Sequence, residues 1–170
     1  MWIISEHSRK DGEAIISASV GSPFDPLVNS AAEYVVKKGL FLLIAAGNEA
    51  VDACTISPAS TPLVFTVAAS SISNVLATFS NYGTCVDIIA PGVNCRTAYL
   101  SNGYADGDGT SLATPYVAGW AAVVQGCMHF KAPEKLANYL IQHSLKGAIE
   151  GDLKGTPNNF INLNCPLYCL

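Results

Sequence analysis

Apolar residues fall in short unbroken runs, separated by stretches with a helical repeat. Ala14 to Val20 is a run of small and β-branched residues that stops at Gly21-Ser22-Pro23, and Leu40 to Ala46 is a second run that stops at Gly47-Asn48. Neither run alternates strictly, which predicts strands covered on both faces. Between them Leu27, Ala31 and Val35, with Val28, Ala32 and Val36, repeat at i+4 and form one apolar helix face. Asp25 can cap this helix and Pro26 suits its first position. Lys37 and Lys38 complement the dipole of the last turn, and Gly39 stops it. Strand, helix and strand within about 30 residues make a βαβ unit, so the two strands are expected to be parallel. In such sheets the site lies beyond the carboxyl ends of the strands. Here those ends are Ser19-Val20-Gly21 and Gly47-Asn48-Glu49, which predicts one shared crevice.

Further along, Asp52 to Ser60 reads as a loop, while Leu63 to Ala69 and Val86 to Ala90 read as strands bounded by Pro or Gly. Ser80-Asn81-Tyr82-Gly83 reads as a turn, and Thr97 to Tyr104 as a hairpin around Ser101-Asn102-Gly103. A long helix is expected from about Ser111. Another starts near Pro133, with Leu136 and Leu140, and Ala137 and Ile141, at i+4. Residues 147–157 form a polar, Gly-rich loop, and Phe160 to Leu163 a terminal strand. The first ten residues carry only a short helical face through Met1, Ile4 and Ser8, followed by a turn at Asp11-Gly12.

Composition narrows the function classes. Half of the residues are hydrophobic and 13% are charged, in keeping with one well-buried domain. A net charge of −4 without a basic run argues against nucleic acid as a partner. No apolar run approaches the roughly 18 residues of a membrane span. Met1-Trp2-Ile3-Ile4-Ser5-Glu6 has no basic n-region or long apolar h-region, so it does not read as a signal peptide. The 6 cysteines contain no C-x-x-C pair and the 3 histidines are scattered, which disfavours zinc. An even cysteine count suits disulfides and an oxidising compartment, although the count alone leaves about 15 connectivities open.

The chemistry concentrates in Asp108-Gly109-Thr110-Ser111-Leu112-Ala113-Thr114-Pro115-Tyr116. A serine stands between a glycine turn and a helix of small residues. The N–H groups and positive dipole end of that helix would face its hydroxyl. Such a place suits a nucleophile whose reaction generates an oxyanion. On this stretch alone, an N-cap role for Ser111 or Thr110 is the commoner meaning of the same residues.

Three separated stretches, in order, decide between those meanings. Ile15 to Gly21, Ala45-Ala46-Gly47-Asn48-Glu49 and Gly109-Thr110-Ser111-Leu112-Ala113-Thr114-Pro115 resemble the second half of subtilisin-like serine peptidases, in particular the proteinase K-like branch. Ile56 to Ser60, Phe79 to Gly83, Asp87 to Gly92 and Gly155 to Asn158 extend the resemblance over nearly the whole chain. It implies an α/β, three-layer parallel-sheet fold, incomplete because its N-terminal strands are missing. Residues 1–163 would be the C-terminal portion of the peptidase domain, and 164–170 a cysteine-containing tail.

The resemblance also implies roles. Ser111 matches the nucleophile of a serine endopeptidase, and Asn48 the side chain that, with the Ser111 N–H, stabilises the oxyanion. Ser19, Val20 and Gly21 match the strand that pairs with an extended polypeptide substrate and forms one wall of a specificity pocket; Ala45, Ala46 and Gly47 match the other wall. Asp87 matches a carboxylate ligand of a structural calcium ion, and Pro62 and Val64 carbonyl ligands to it; no organic cofactor is implied. Cys54 and Cys85 fall where relatives have a disulfide. Cys165 and Cys169 are close enough in sequence for a local bridge, whereas Cys95 and Cys127 have no evident partner and a buried free thiol suits either. An extracellular or secretory location follows from the family, and no nucleic acid or membrane partner is expected.

A Ser–His–Asp mechanism needs a base and an orienting carboxylate, which in this family precede the nucleophile in the order Asp, His, Ser. Neither motif occurs upstream of Ser19. His7 lies in Glu6-His7-Ser8, and His129 and His143 match no catalytic position. The chain therefore reads as a fragment. Its expected partner is the missing N-terminal half of the domain, and by itself it would be poorly soluble or marginally folded. The rival reading is a catalytically inactive short homologue that binds peptides or proteins. An α/β-hydrolase elbow is disfavoured because Ala113 replaces its final glycine. Tyr116 stands where relatives commonly carry His, Trp120 is bulky among small residues, and Asp106 and Asp108 add charge before the nucleophile turn.

Overall fold

The computed structural model describes residues 14–163. His7, the short N-terminal helical face, the Asp11-Gly12 turn, the 164–170 tail and the Cys165–Cys169 pairing lie outside the described residues.

The βαβ unit forms as expected. Strand β1 (Ile15–Ala18) leads through the two-residue β2 (Ser22–Pro23) to helix α1 (Pro26–Lys37), and β3 (Phe41–Ala45) pairs in parallel with β1. Asp25 caps α1 by accepting the Leu27 N–H at 2.8 Å, with Pro26 in the first turn. Gly39, at φ +88°, turns the chain out of the helix. Strands β4 (Ile56–Ser57), β5 (Phe65–Ser70), β6 (Ile88–Pro91), β7 (Cys95–Tyr99) and β8 (Gly103–Gly107) follow. After them come α2 (Thr110–Met128), α3 (Pro133–His143), β9 (Leu145–Lys146) and β10 (Asn159–Phe160).

The main sheet has the order β1-β3-β5-β6-β10-β9. It is parallel through β10, and β9 runs antiparallel at its edge. Every residue of β3 is buried. Phe41 and Leu43 face one core with Val117, Trp120, Val124, Leu136 and Leu140 of α2 and α3. Leu42 and Ile44 face a second core with Ala32 of α1, Ala59 and Val64. Consecutive side chains of β3 thus meet helices on opposite faces, which makes three layers and explains the unbroken apolar run.

The structure modifies several local expectations. The first strand is half-buried rather than covered on both sides, because among the described residues β1 pairs only with β3 and forms an edge. The hairpin starts at Cys95 rather than Thr97, and the last strand covers Asn159–Phe160 instead of Phe160 to Leu163. Strands β2, β4 and β9 have two residues each, too few to leave a periodic signal. Asp106 pairs with Arg96 across the hairpin at 3.3 Å, and Asp108 accepts the Asn94 N–H at 2.7 Å. The charges ahead of Ser111 thus stabilise the turn that delivers it. Trp120 is buried in the core.

Cys54 and Cys85 form a disulfide with a Cα–Cα separation of 5.3 Å. Cys95 is a buried free thiol, whose titration burial pushes upward. Cys127, which had no evident partner in the sequence, is disulfide-bonded.

Candidate active site

Strand ends and one helix start build the crevice. Ser19, Val20 and Gly21 continue from β1, and Ala45, Gly47, Asn48 and Glu49 leave β3. Thr110 and Ser111 open α2, and Ile56 comes from β4. With Ser22 and Pro23 they enclose a cleft of about 270 Å³. Parallel strands deliver their carboxyl ends to one side of a sheet, which is why segments far apart in sequence meet here. Of the residues singled out on either wall, Ala46 alone does not line the cleft. It is fully buried behind it, with its N–H donated to Val67 and its carbonyl accepting from Asn81.

The helix start is held by glycines and a hydroxyl. Gly92 leaves no room for a side chain, since a Cβ there would sit 2.6 Å from the Ala69 Cβ and 2.8 Å from the Gly109 carbonyl. Gly109, at φ +154°, donates to the Gly92 carbonyl at 2.8 Å. Its own carbonyl accepts from the N–H groups of Leu112 and Ala113. Thr110 donates its N–H and its hydroxyl to Asn48 Oδ1, at 2.8 and 2.9 Å. The same hydroxyl accepts the Gly47 N–H at 3.2 Å.

Two consequences follow for Ser111. Its N–H belongs to the first turn, where helical N–H groups have no intrahelical acceptor, and none of its neighbours' acceptors is spent on it. Meanwhile Asn48 Oδ1 is committed to Thr110, which leaves the Nδ2 donor as the free end of that amide. Two uncommitted donors thus belong to residues that line one cleft, at the positive end of a helix. Ser111 is solvent-exposed.

Pro115 adds a further tie. It has no N–H, so it cannot donate to the carbonyl four residues back, that of Ser111. The Ser19 hydroxyl donates to that carbonyl instead, at 3.1 Å, and couples the segment after β1 to the Ser111 turn. Val20, two residues beyond the end of β1, is 59% exposed.

Among the described residues, no histidine or carboxylate hydrogen-bonds to Ser111 Oγ. His129 ends α2, in a left-handed conformation at φ +51°. Eighteen residues of helix at about 1.5 Å each put it roughly 27 Å from Ser111. His143 ends α3, where it stacks on Tyr139 with centroids 3.9 Å apart.

A second cleft, lined from both α1 and α3, brings Asp87 together with Pro62 and Val64. Burial pushes the Asp87 carboxyl up to about 6, partly opposed by the Thr66 N–H that donates to its Oδ2 at 2.7 Å. A carboxylate short of solvation, beside backbone carbonyls, is an oxygen-only donor set of the kind hard divalent cations take. Among the described residues no group of three or more His, Cys, Asp and Glu side chains could hold a metal. Any cation here would therefore rely on main-chain oxygens and water.

Sequence reasoning treated Thr110 as a possible cap and Asn81 as part of a turn. In the structure Thr110 bonds to Asn48, and Asn81 bonds to the residues on either side of it. A signal was present for each: Thr110 adjoins Ser111, and Asn81 lies within the matching Phe79-Ser80-Asn81-Tyr82-Gly83 stretch. Glu49 lines the cleft as its place at a strand end predicts, whereas Ile56 also lines it and only side-chain packing could reveal that.

Sheet order, helix placement and crevice define an α/β protein of subtilisin-like architecture. Comparison with known proteins agrees: residues 1–159 match the subtilase family. The chain belongs to that family. It is 38% identical over 145 residues to the subtilisin-like serine protease AsES of Sarocladium strictum, covering 85% of this chain and 37% of that protein. Identity to proteinase T of Parengyodontium album is 37% over 148 residues, covering 87% of this chain and 50% of that protein. The chain therefore spans half or less of the length of these curated relatives. Among solved structures, a cold-adapted subtilisin-like serine proteinase superposes with a TM-score of 0.89 at 31% identity, over 96% of this chain and 60% of that one.

Proposed function

We propose that the chain carries the nucleophile and oxyanion-binding half of a serine endopeptidase site. Ser111 Oγ attacks the scissile carbonyl and passes its proton to a base. The carbonyl oxygen, now negative, is held by Asn48 Nδ2 and the Ser111 N–H. The leaving amine takes the proton, and water then hydrolyses the acyl-enzyme. The extended substrate pairs with the Ser19-Val20-Gly21 edge, and its side chain before the cut enters the cleft between that edge and Ala45-Gly47. The observation that carries this reading is the double commitment of Asn48 Oδ1 to Thr110, which leaves Nδ2 free in the cleft that Asn48 and Ser111 both line. The base and orienting carboxylate come from polypeptide outside the described residues. The N-terminal half of the same domain, absent from residues 14–163, is the partner that fits. Asp87, with the Pro62 and Val64 carbonyls, binds a calcium ion that supplies positive charge to a poorly solvated carboxylate and ties two loops together. The Cys54–Cys85 disulfide supports an extracellular or secretory location.

A second reading is favoured by the exposed Ser111 hydroxyl, which has no hydrogen-bond partner among the described residues. In that reading the crevice binds peptides without cleaving them. Treatment of the protein from its natural source with a serine-reactive fluorophosphonate separates the two. The peptidase reading expects one label per chain. No label, together with calorimetric binding of an extended peptide, supports the binding module and rejects the peptidase.

A further inference from the structure

We propose that Asn81 is a positioning residue for Asn48, the post around which residues 46–51 are wound. The proposal rests on the reading of Asn48 as the oxyanion donor. The Asn81 side chain is completely buried. Its Nδ2 donates to the Ala46 carbonyl and to Glu49 Oε2, both at 2.8 Å. Its Oδ1 accepts the N–H groups of Glu49 at 3.1 Å and Val51 at 3.0 Å. Its backbone N–H donates to the Gly47 carbonyl at 3.0 Å. Both donors and both lone pairs of one planar amide are thus used, and every partner lies in the loop that carries Asn48.

The partners bracket Asn48 on both sides without touching its side chain. Asn48 is left to reach Thr110. Two further observations fit a template. Gly47, at φ +106°, passes so close that a Cβ there would lie 2.3 Å from Asn81 Nδ2, so only glycine permits the winding. Asn81 is itself fixed to the sheet, because the adjoining Ser80 hydroxyl accepts the Ala69 N–H at 3.0 Å and donates to the Asn81 carbonyl at 2.9 Å. No other side chain of this length offers two donors and two acceptors: aspartate lacks the donors, and serine or threonine carries only one.

The Thr110 N–H donates to Asn48 Oδ1 and makes no contact with Asn81, so its hydrogen exchange reports where Asn48 sits. In the full chain, Asn81→Ala is expected to speed Thr110 N–H exchange by about tenfold or more relative to the β5 amides, approaching the loss seen in an Asn48→Ala control. Loss of protection at Glu49 and Val51 with wild-type protection at Thr110 would overturn the proposal. Should the alanine variant not fold, Asn81→Asp is judged by the same criterion, because it keeps the volume and the acceptor but loses both donors. In the source enzyme, Asn81→Ala should slow labelling of Ser111 on the order of 10²-fold, the cost of about 1 Å of misplacement. It should add nothing in an Asn48→Ala background; full additivity would contradict it. Exchange at Thr110 does not depend on whether Ser111 reacts, so failure of the peptidase reading and failure of this proposal are told apart.

Discussion

The two halves of the site differ in how completely they are held. On the Asn48 side nearly every polar group is committed: Asn48 Oδ1 to Thr110, the Thr110 hydroxyl to Gly47, and the Asn81 amide to the loop. On the Ser111 hydroxyl side, no described group meets Oγ. On the proposed reading, the difference gives oxyanion stabilisation and proton transfer separate structural origins in this fold. The first arises from strand ends and a helix start that the sheet brings together. The second needs a histidine, which no described element places there.

The 170-residue chain alone should resist fluorophosphonate at Ser111, and stoichiometric labelling, mapped by mass spectrometry, would mean that the proton-transfer half is present after all. Removing the disulfide comes next. Closing a loop of 31 residues stabilises by about 3–4 kcal/mol in the chain-entropy model, so Cys54→Ser with Cys85→Ser should lower denaturation stability by that order. The loss should appear first in the 46–54 segment, which is zipped to residues 79–85 beside the bridge. Unchanged exchange there would separate the disulfide from the oxyanion half.

A smaller effect concerns the second cleft. The Asp87 carboxyl titrates at about 6 when folded, above its ordinary 3.8. The folded chain then binds more protons than the unfolded chain between those values, so stability in a chelator should fall as pH rises from about 4 to 6. Calcium should raise the melting temperature at pH 7 and not at pH 4, where the carboxyl is protonated, and Asp87→Asn should remove the response. A calcium response that survives Asp87→Asn would place the ion elsewhere.

Much of this was legible in the sequence because it follows from local patterns. The Asp25-Pro26 start of α1, the unbroken run of β3 and the meeting of two strand ends all come from residue type and spacing. Ser111 stood out locally as a serine at a glycine-to-helix turn, but its choice over a cap, Asn48 and the Cys54–Cys85 pair were legible only through resemblance to a family. Burial of Ala46 behind the cleft was not legible, because a one-residue change of side along a strand reverses what it faces. Nor was the edge position of β1, since a strand's neighbours are set by the whole sheet. The network around Asn81 joins residues about 30 positions apart, beyond any local periodicity.

The most direct test uses protein from its natural source, labelled with a fluorophosphonate, mapped by mass spectrometry and repeated with Asn48→Ala. The label is expected on Ser111, with labelling slowed by about 10²–10³-fold in the variant at a temperature where it is still folded, since loss of the Thr110 acceptor also lowers its melting temperature. That range is the one known for the same donor in subtilisin. A label on another serine, or equal rates in the two proteins, would contradict it.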